Sequence, residues 1–140
     1  MSDSAADRVD LNHFHHGQSH QNDPLGAAVA GKVMEIIKRD NLLNIAETLG
    51  NFIKERLNRI IEKHGIIKEV RGRGLLIALE FVKNEKYSYA GEINNRLLEK
   101  NIILVRRPGL EVFRIDPALT IDRQDIDFFL DSLEKTISSL

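Results

Sequence analysis

Three groups of residues have side chains and spacing that could do chemistry. His13, His15, His16 and His20, followed by Asp23, crowd imidazoles and a carboxylate into one short stretch, and both are competent zinc or nickel ligands. A zinc site also needs a fixed tetrahedral set and neighbours that orient it, which a polar, glycine-bearing loop does not supply. A solvated loop is therefore the expectation there, and no metal site is assigned. Gly17, Ser19 and Asn22 stand ahead of Pro24, where short hydroxyl and backbone donors beside a helix N-terminus either suit a phosphate or simply cap the helix. Arg114 alternates with apolar Val112, Phe113 and Ile115. Either its stem packs beneath a wet head and pairs with a protein carboxylate, or its planar fork clamps an anion through two parallel hydrogen bonds.

The elements that must position these groups follow from periodicity and punctuation. Residues 1–22 are polar and carry no sustained apolar period, so they read as an arm or loop ahead of a domain spanning 23–140. Asp23-Pro24 opens a helix to about Arg39 whose apolar residues cover more than half its circumference, a face that calls for neighbours on more than one side. Asp40 or Asn41 is placed to cap a second helix to about His64, with Gly65 as a left-handed C-terminal cap and Glu55–Arg59 as an i,i+4 pair. Ile66 to Val82 changes to β-branched and apolar runs broken by Arg71-Gly72-Arg73-Gly74, the pattern of two short strands or one bent strand. Ser88 caps a third helix to about Lys100, stopped by Asn101. Ile102–Val105 and Glu111–Ile115 read as a hairpin about Arg106-Arg107-Pro108-Gly109. After Asp116-Pro117, Asp122 caps a last helix with Ile126, Phe129, Leu130, Leu133 and Ile137 in one stripe. Helices beside a short, mostly antiparallel sheet make an α+β domain.

Composition narrows the function classes. The chain has 140 residues, room for a single domain with a hydrophobic core, and 42% apolar with 29% charged residues is ordinary for a globular protein. Lys plus Arg total 20 against 21 Asp plus Glu, a formal net charge of −1, which offers no electrostatic reason to expect nucleic acid or an anionic membrane surface as partner. Cysteine is absent, which removes disulfides, thiolate metal sites and cysteine nucleophiles and accords with a cytoplasmic setting. No secretory signal pattern opens the chain.

Taken in order, HGQSHQNDPLGAAVA (His16 to Ala30), VRGRGLLIALE (Val70 to Glu80) and FRIDPALTI (Phe113 to Ile121) resemble three successive motifs of the class-III pyridoxal-phosphate-dependent aminotransferases. The resemblance covers about residues 13 to 140 and is to the C-terminal part of such an enzyme. It implies the small C-terminal α+β domain of a fold-type I pyridoxal 5'-phosphate (PLP) enzyme. By that resemblance Ser19 occupies the position of a hydroxyl that contacts the cofactor phosphate across a dimer interface. Arg114 falls on the arginine that binds the substrate carboxylate. Gly72 and Gly74 fall on a bend beside the active-site entrance, with Arg71 and Arg73 read as structural.

The same resemblance implies an enzyme of more than ~400 residues, roughly three times a domain of this size. The Schiff-base lysine, the aspartate on the pyridine nitrogen and the glycine-rich phosphate turn belong to a large domain that these motifs do not include. The nine lysines fall on helix exteriors or at element ends, and none matches the family's motif. No catalytic residue is therefore assigned. The expectation is a C-terminal portion of an aminotransferase that is inactive alone, partnered by the missing large PLP domain or a separate chain carrying it, and assembled as a homo-oligomer. The alternative is a free-standing interaction or scaffold module derived from that domain, without catalysis.

Overall fold

The protein, as a computed structural model, is described over residues 22–140. The polar arm of residues 1–21 lies outside the described residues, and with it Ser19, Gly17, His13, His15, His16 and His20. The chain divides into two units between Ile36 and Ile37, each taken here by itself.

Helix α1 (Pro24–Arg39) begins as the sequence predicts. The Leu25 N–H donates to Asp23 Oδ1 at 3.0 Å, so Asp23 satisfies one of the free donors of the first turn while Pro24 has none to satisfy. No residue of α1 is buried, and Leu25, Val29, Val33 and Met34 stand exposed.

The second unit holds the rest: α2 (Leu42–Lys63), β1 (Ile67–Arg73), β2 (Leu76–Phe81), α3 (Tyr89–Leu98), β3 (Val105–Arg106), β4 (Val112–Ile115) and α4 (Arg123–Ser138). The four strands form one sheet in the order β1-β2-β4-β3, and every neighbouring pair is antiparallel. Strict alternation makes β2 and β4 two-faced: Ile77, Leu79, Phe81, Phe113 and Ile115 are buried, while Leu76 and Arg114 are exposed. Helix α2 packs on β1 and β2, α4 packs on α2 and α3, and their apolar stripes close one core with the buried sheet face. At its centre Phe81 and Phe113 meet edge to face, ring centroids 5.2 Å apart.

Several local expectations are corrected. Of the two candidate caps of α2, Asp40 takes the Arg39 guanidinium at 2.7 and 2.8 Å, and Asn41 stands at the N-cap, at φ 52, ψ 36, without a side-chain cap bond. A side-chain cap needs extended backbone, which the left-handed conformation of Asn41 does not supply. Gly65 is not left-handed; α2 ends on His64 at φ −132, ψ 113, which leads directly towards β1. Glu55 does not pair with Arg59. The ion pairs of α2 reach α4, from Arg56 to Asp131 (2.7 Å) and from Lys63 to Glu134 (2.6 Å). Asp122 stands at the N-cap of α4 without a side-chain bond. Strand β3 is Val105–Arg106 rather than Ile102–Val105 because its partner β4 ends at Ile115, ahead of Asp116-Pro117.

Candidate functional site

One row of the open sheet face crosses all four strands. Arg71 pairs with Ala78, Ala78 with Arg114, and Arg114 with Val105. Directly paired residues in antiparallel strands project to the same side, so Arg71 and Arg114 flank the small side chain of Ala78 at about 10 Å, two inter-strand spacings. The hairpin that carries Arg71 depends on glycine. Gly74, at φ 53, forms the two-residue connection with Leu75, and Gly72, at φ 153, leaves no room for a Cβ against the Leu76 carbonyl. The RGRG segment therefore turns at Gly74, while Gly72 lies within β1 opposite Ile77.

The two arginines are held differently. Arg71 donates to Glu80 at 2.7 Å and to Glu69 at 3.1 Å, while Lys68 donates to the other Glu80 oxygen at 2.6 Å. The Lys68 ammonium first, and the Arg71 guanidinium second, hold the Glu80 carboxyl below the usual glutamate range. Arg71 is thus committed to protein carboxylates. Among the described residues Arg114 has one ion-pair partner, Asp116, with Nη2 to Oδ2 at 2.9 Å, and half of its side chain remains exposed. That contact follows from strand geometry. Residues two apart along extended chain share a face, and a residue before proline is biased to extended backbone, which favours the meeting of Arg114 with Asp116, one position beyond β4.

Arg114 and Asp116 border a cleft of about 380 Å³ whose walls include Ile102, Val105, Ile121 and Phe128, with Asp125 as a second carboxylate. An apolar cleft with a few convergent polar groups is the usual form of a small-molecule site. What it offers chemically is recognition: a planar, permanently charged fork beside apolar wall. Among the described residues, no group of three or more His, Cys, Asp or Glu is placed to hold a metal ion.

A second polar cluster escapes sequence reasoning. Glu111 accepts from Ser88 Oγ at 2.6 Å and from the Ala90 N–H at 2.9 Å, while Ser88 Oγ accepts from the Gly91 N–H at 2.9 Å. Arg106 Nη2 completes the group by donating to Ser88 Oγ at 3.2 Å. Ser88 alone carries a signal, that of an N-cap; Glu111 arrives from 23 positions away. The cluster fixes the start of α3 to the β3–β4 hairpin.

The sequence model of the class-III aminotransferases matches residues 4–137. The chain belongs to that family. A leucine/methionine racemase of Thermococcus litoralis is 34% identical over 123 residues, which are 84% of this chain and 28% of the racemase. The fold is similar to that of the acetylornithine aminotransferase of Elizabethkingia anophelis, with TM-score 0.80 and 29% identity over 91% of this chain and 33% of that one. An amine transaminase from an uncultivated Pseudomonas species, solved in its PLP-bound form, shares the fold at TM-score 0.78 and 24% identity, covering 91% of this chain and 30% of its own. The chain therefore spans a third or less of the length of these relatives. Class-III aminotransferases use PLP, held in part by a lysine desolvated in a pocket beside the cofactor. Among the described residues no lysine is buried: Lys54 is half-buried and the others are exposed. These lysines do not fit that role.

Proposed function

We propose that this chain is the C-terminal α+β portion of a PLP-dependent class-III aminotransferase and that it works only with a cofactor-bearing large domain supplied by another polypeptide or another part of the enzyme. The reaction is amino-group transfer between an amino acid or amine and a 2-oxo acid, with PLP supplying the carbon–nitrogen chemistry when bound. The observation that carries this reading is Arg114. It lies in the FRIDPAL motif, half-exposed on an open sheet face, with one surface carboxylate as partner among the described residues. Its role is to clamp the substrate carboxylate and so orient the reacting end, and orientation can supply several kcal/mol of a barrier, up to roughly 7–11 in well-aligned systems. Ser19, by its place in the N-terminal motif, donates its hydroxyl to the cofactor phosphate of a neighbouring subunit in a homo-oligomer.

Two measurements test this reading. The chain mixed with PLP and an amino donor should develop no cofactor–lysine absorbance, whereas a borohydride-stable adduct on one specific lysine overturns the claim of inactivity. Mixing with a polypeptide that carries the large domain should restore amino transfer. Stable self-association with no restored activity in that mixture overturns the enzyme reading and favours an interaction module.

A further inference from the structure

Resting on the reading of Arg114 as a carboxylate clamp, we propose that Asp116 is a specificity-determining residue of the same site. It is an internal carboxylate that occupies Arg114 until a ligand displaces it, and it selects against ligands that bring a second negative charge into the cleft. Three observations carry this. Asp116 Oδ2 lies 2.9 Å from Arg114 Nη2, within ion-pair distance, so a ligand carboxylate approaching the guanidinium meets a negative charge already beside it. Asp116 stands two residues after Arg114 and just before Pro117, a spacing and a pre-proline bias to extended backbone that favour both side chains starting on one side of the chain. The cleft they border also carries Asp125, which sets two carboxylates against one guanidinium.

The pair is exposed enough to exchange. Arg114 keeps 50% and Asp116 35% of side-chain accessibility, and surface ion pairs of this kind are weak, so a ligand carboxylate can compete for the fork. Once displaced, the Asp116 charge stays within a few ångströms of the bound anion and repels it. A monocarboxylate meets that repulsion once. A dicarboxylate folded into the same cleft meets it twice, and meets Asp125 as well.

The test uses the full 140-residue chain with ¹⁵N-labelled arginine, following the Arg114 Nε signal during titration with propionate and with succinate at low ionic strength. Asp116→Asn should tighten propionate about threefold and succinate about tenfold, so that the ratio of the two affinities shifts towards the dianion. Equal binding by wild type and Asp116→Asn, with both lost in Arg114→Gln, overturns the role of Asp116 while leaving the Arg114 reading intact. Binding that survives unchanged in Arg114→Gln overturns the Arg114 reading itself. If Asp116→Asn alters the amide spectrum beyond the cleft, Asp116→Ser is substituted and the same ratios decide. The wild-type chain supplies an independent reading: the Asp116 carboxyl carbon must shift together with Arg114 Nε, and a ligand shift at Arg114 alone overturns displacement.

Discussion

Gly50 of α2 lies against the backbone carbonyl of Gly74 in the β1–β2 turn so closely that a Cβ at Gly50 would overlap it. The contact is backbone to backbone, and neither side has a flexible end that could move aside. Gly50→Ala is expected to cost about 1–3 kcal/mol, the usual range for overpacking a fitted interior. Urea unfolding should show a lower midpoint at unchanged slope, and a wild-type midpoint would contradict the close approach.

The Ser88–Glu111 pair predicts non-additive losses. Ser88→Ala removes the side-chain cap of α3 and should cost about 1 kcal/mol, and Glu111→Ala strands the Ala90 N–H at a cost of about 1–2 kcal/mol. Because each substitution removes part of the same network, the double variant should lose less than the sum of the two. Additive losses in a thermal-unfolding cycle would show that the two residues act independently.

Glu80 predicts the direction of acid sensitivity. Its carboxyl titrates lower in the folded chain than in the unfolded one, chiefly through the Lys68 hydrogen bond and then that of Arg71. Between those two values the unfolded state binds more protons. The stabilisation is therefore fully present above the ordinary glutamate range and is lost as pH falls through the folded value. Glu134, held low by Lys63, acts with the same sign. The unfolding midpoint should drop on acidification, and Glu80→Gln should flatten that dependence without altering its direction.

Phe113 is fully buried one position before Arg114 and stacks edge-on with Phe81. Phe113→Ala should cost about 3–5 kcal/mol, comparable with the whole stability of many small domains. Circular dichroism at rising temperature should show the loss. Arg114→Lys, on the outward face, should by contrast leave the melting curve within about 0.5 kcal/mol of wild type, as surface substitutions do.

Much of this protein is written locally. Period-2 alternation in Val112–Ile115 announced a strand with two faces, and the structure buries Phe113 and Ile115 on one of them and exposes Arg114 on the other. Asp23 and Ser88 announced two helix starts, and Asn101, at φ 60, announced one helix end, because short polar side chains and left-handed backbone are properties of single residues. The three family motifs were equally legible, since each is a run of neighbours.

What tertiary structure decided is whatever depends on distant chain. Strand order placed Ala78 between Arg71 and Arg114, and no spacing along the sequence announces a row that joins positions 71, 78, 114 and 105. The same order brought Glu111 onto Ser88, and the end of β4 before Pro117 shortened β3. It also separated the roles of two similar arginines: Arg71 meets Glu80 only because β1 pairs with β2, whereas Arg114 keeps an open side and the near partner that its own strand supplies. Periodicity specifies which face a side chain takes. The identity of its neighbours follows from how several strands and helices bury their apolar faces together, and that is a property of the assembled core.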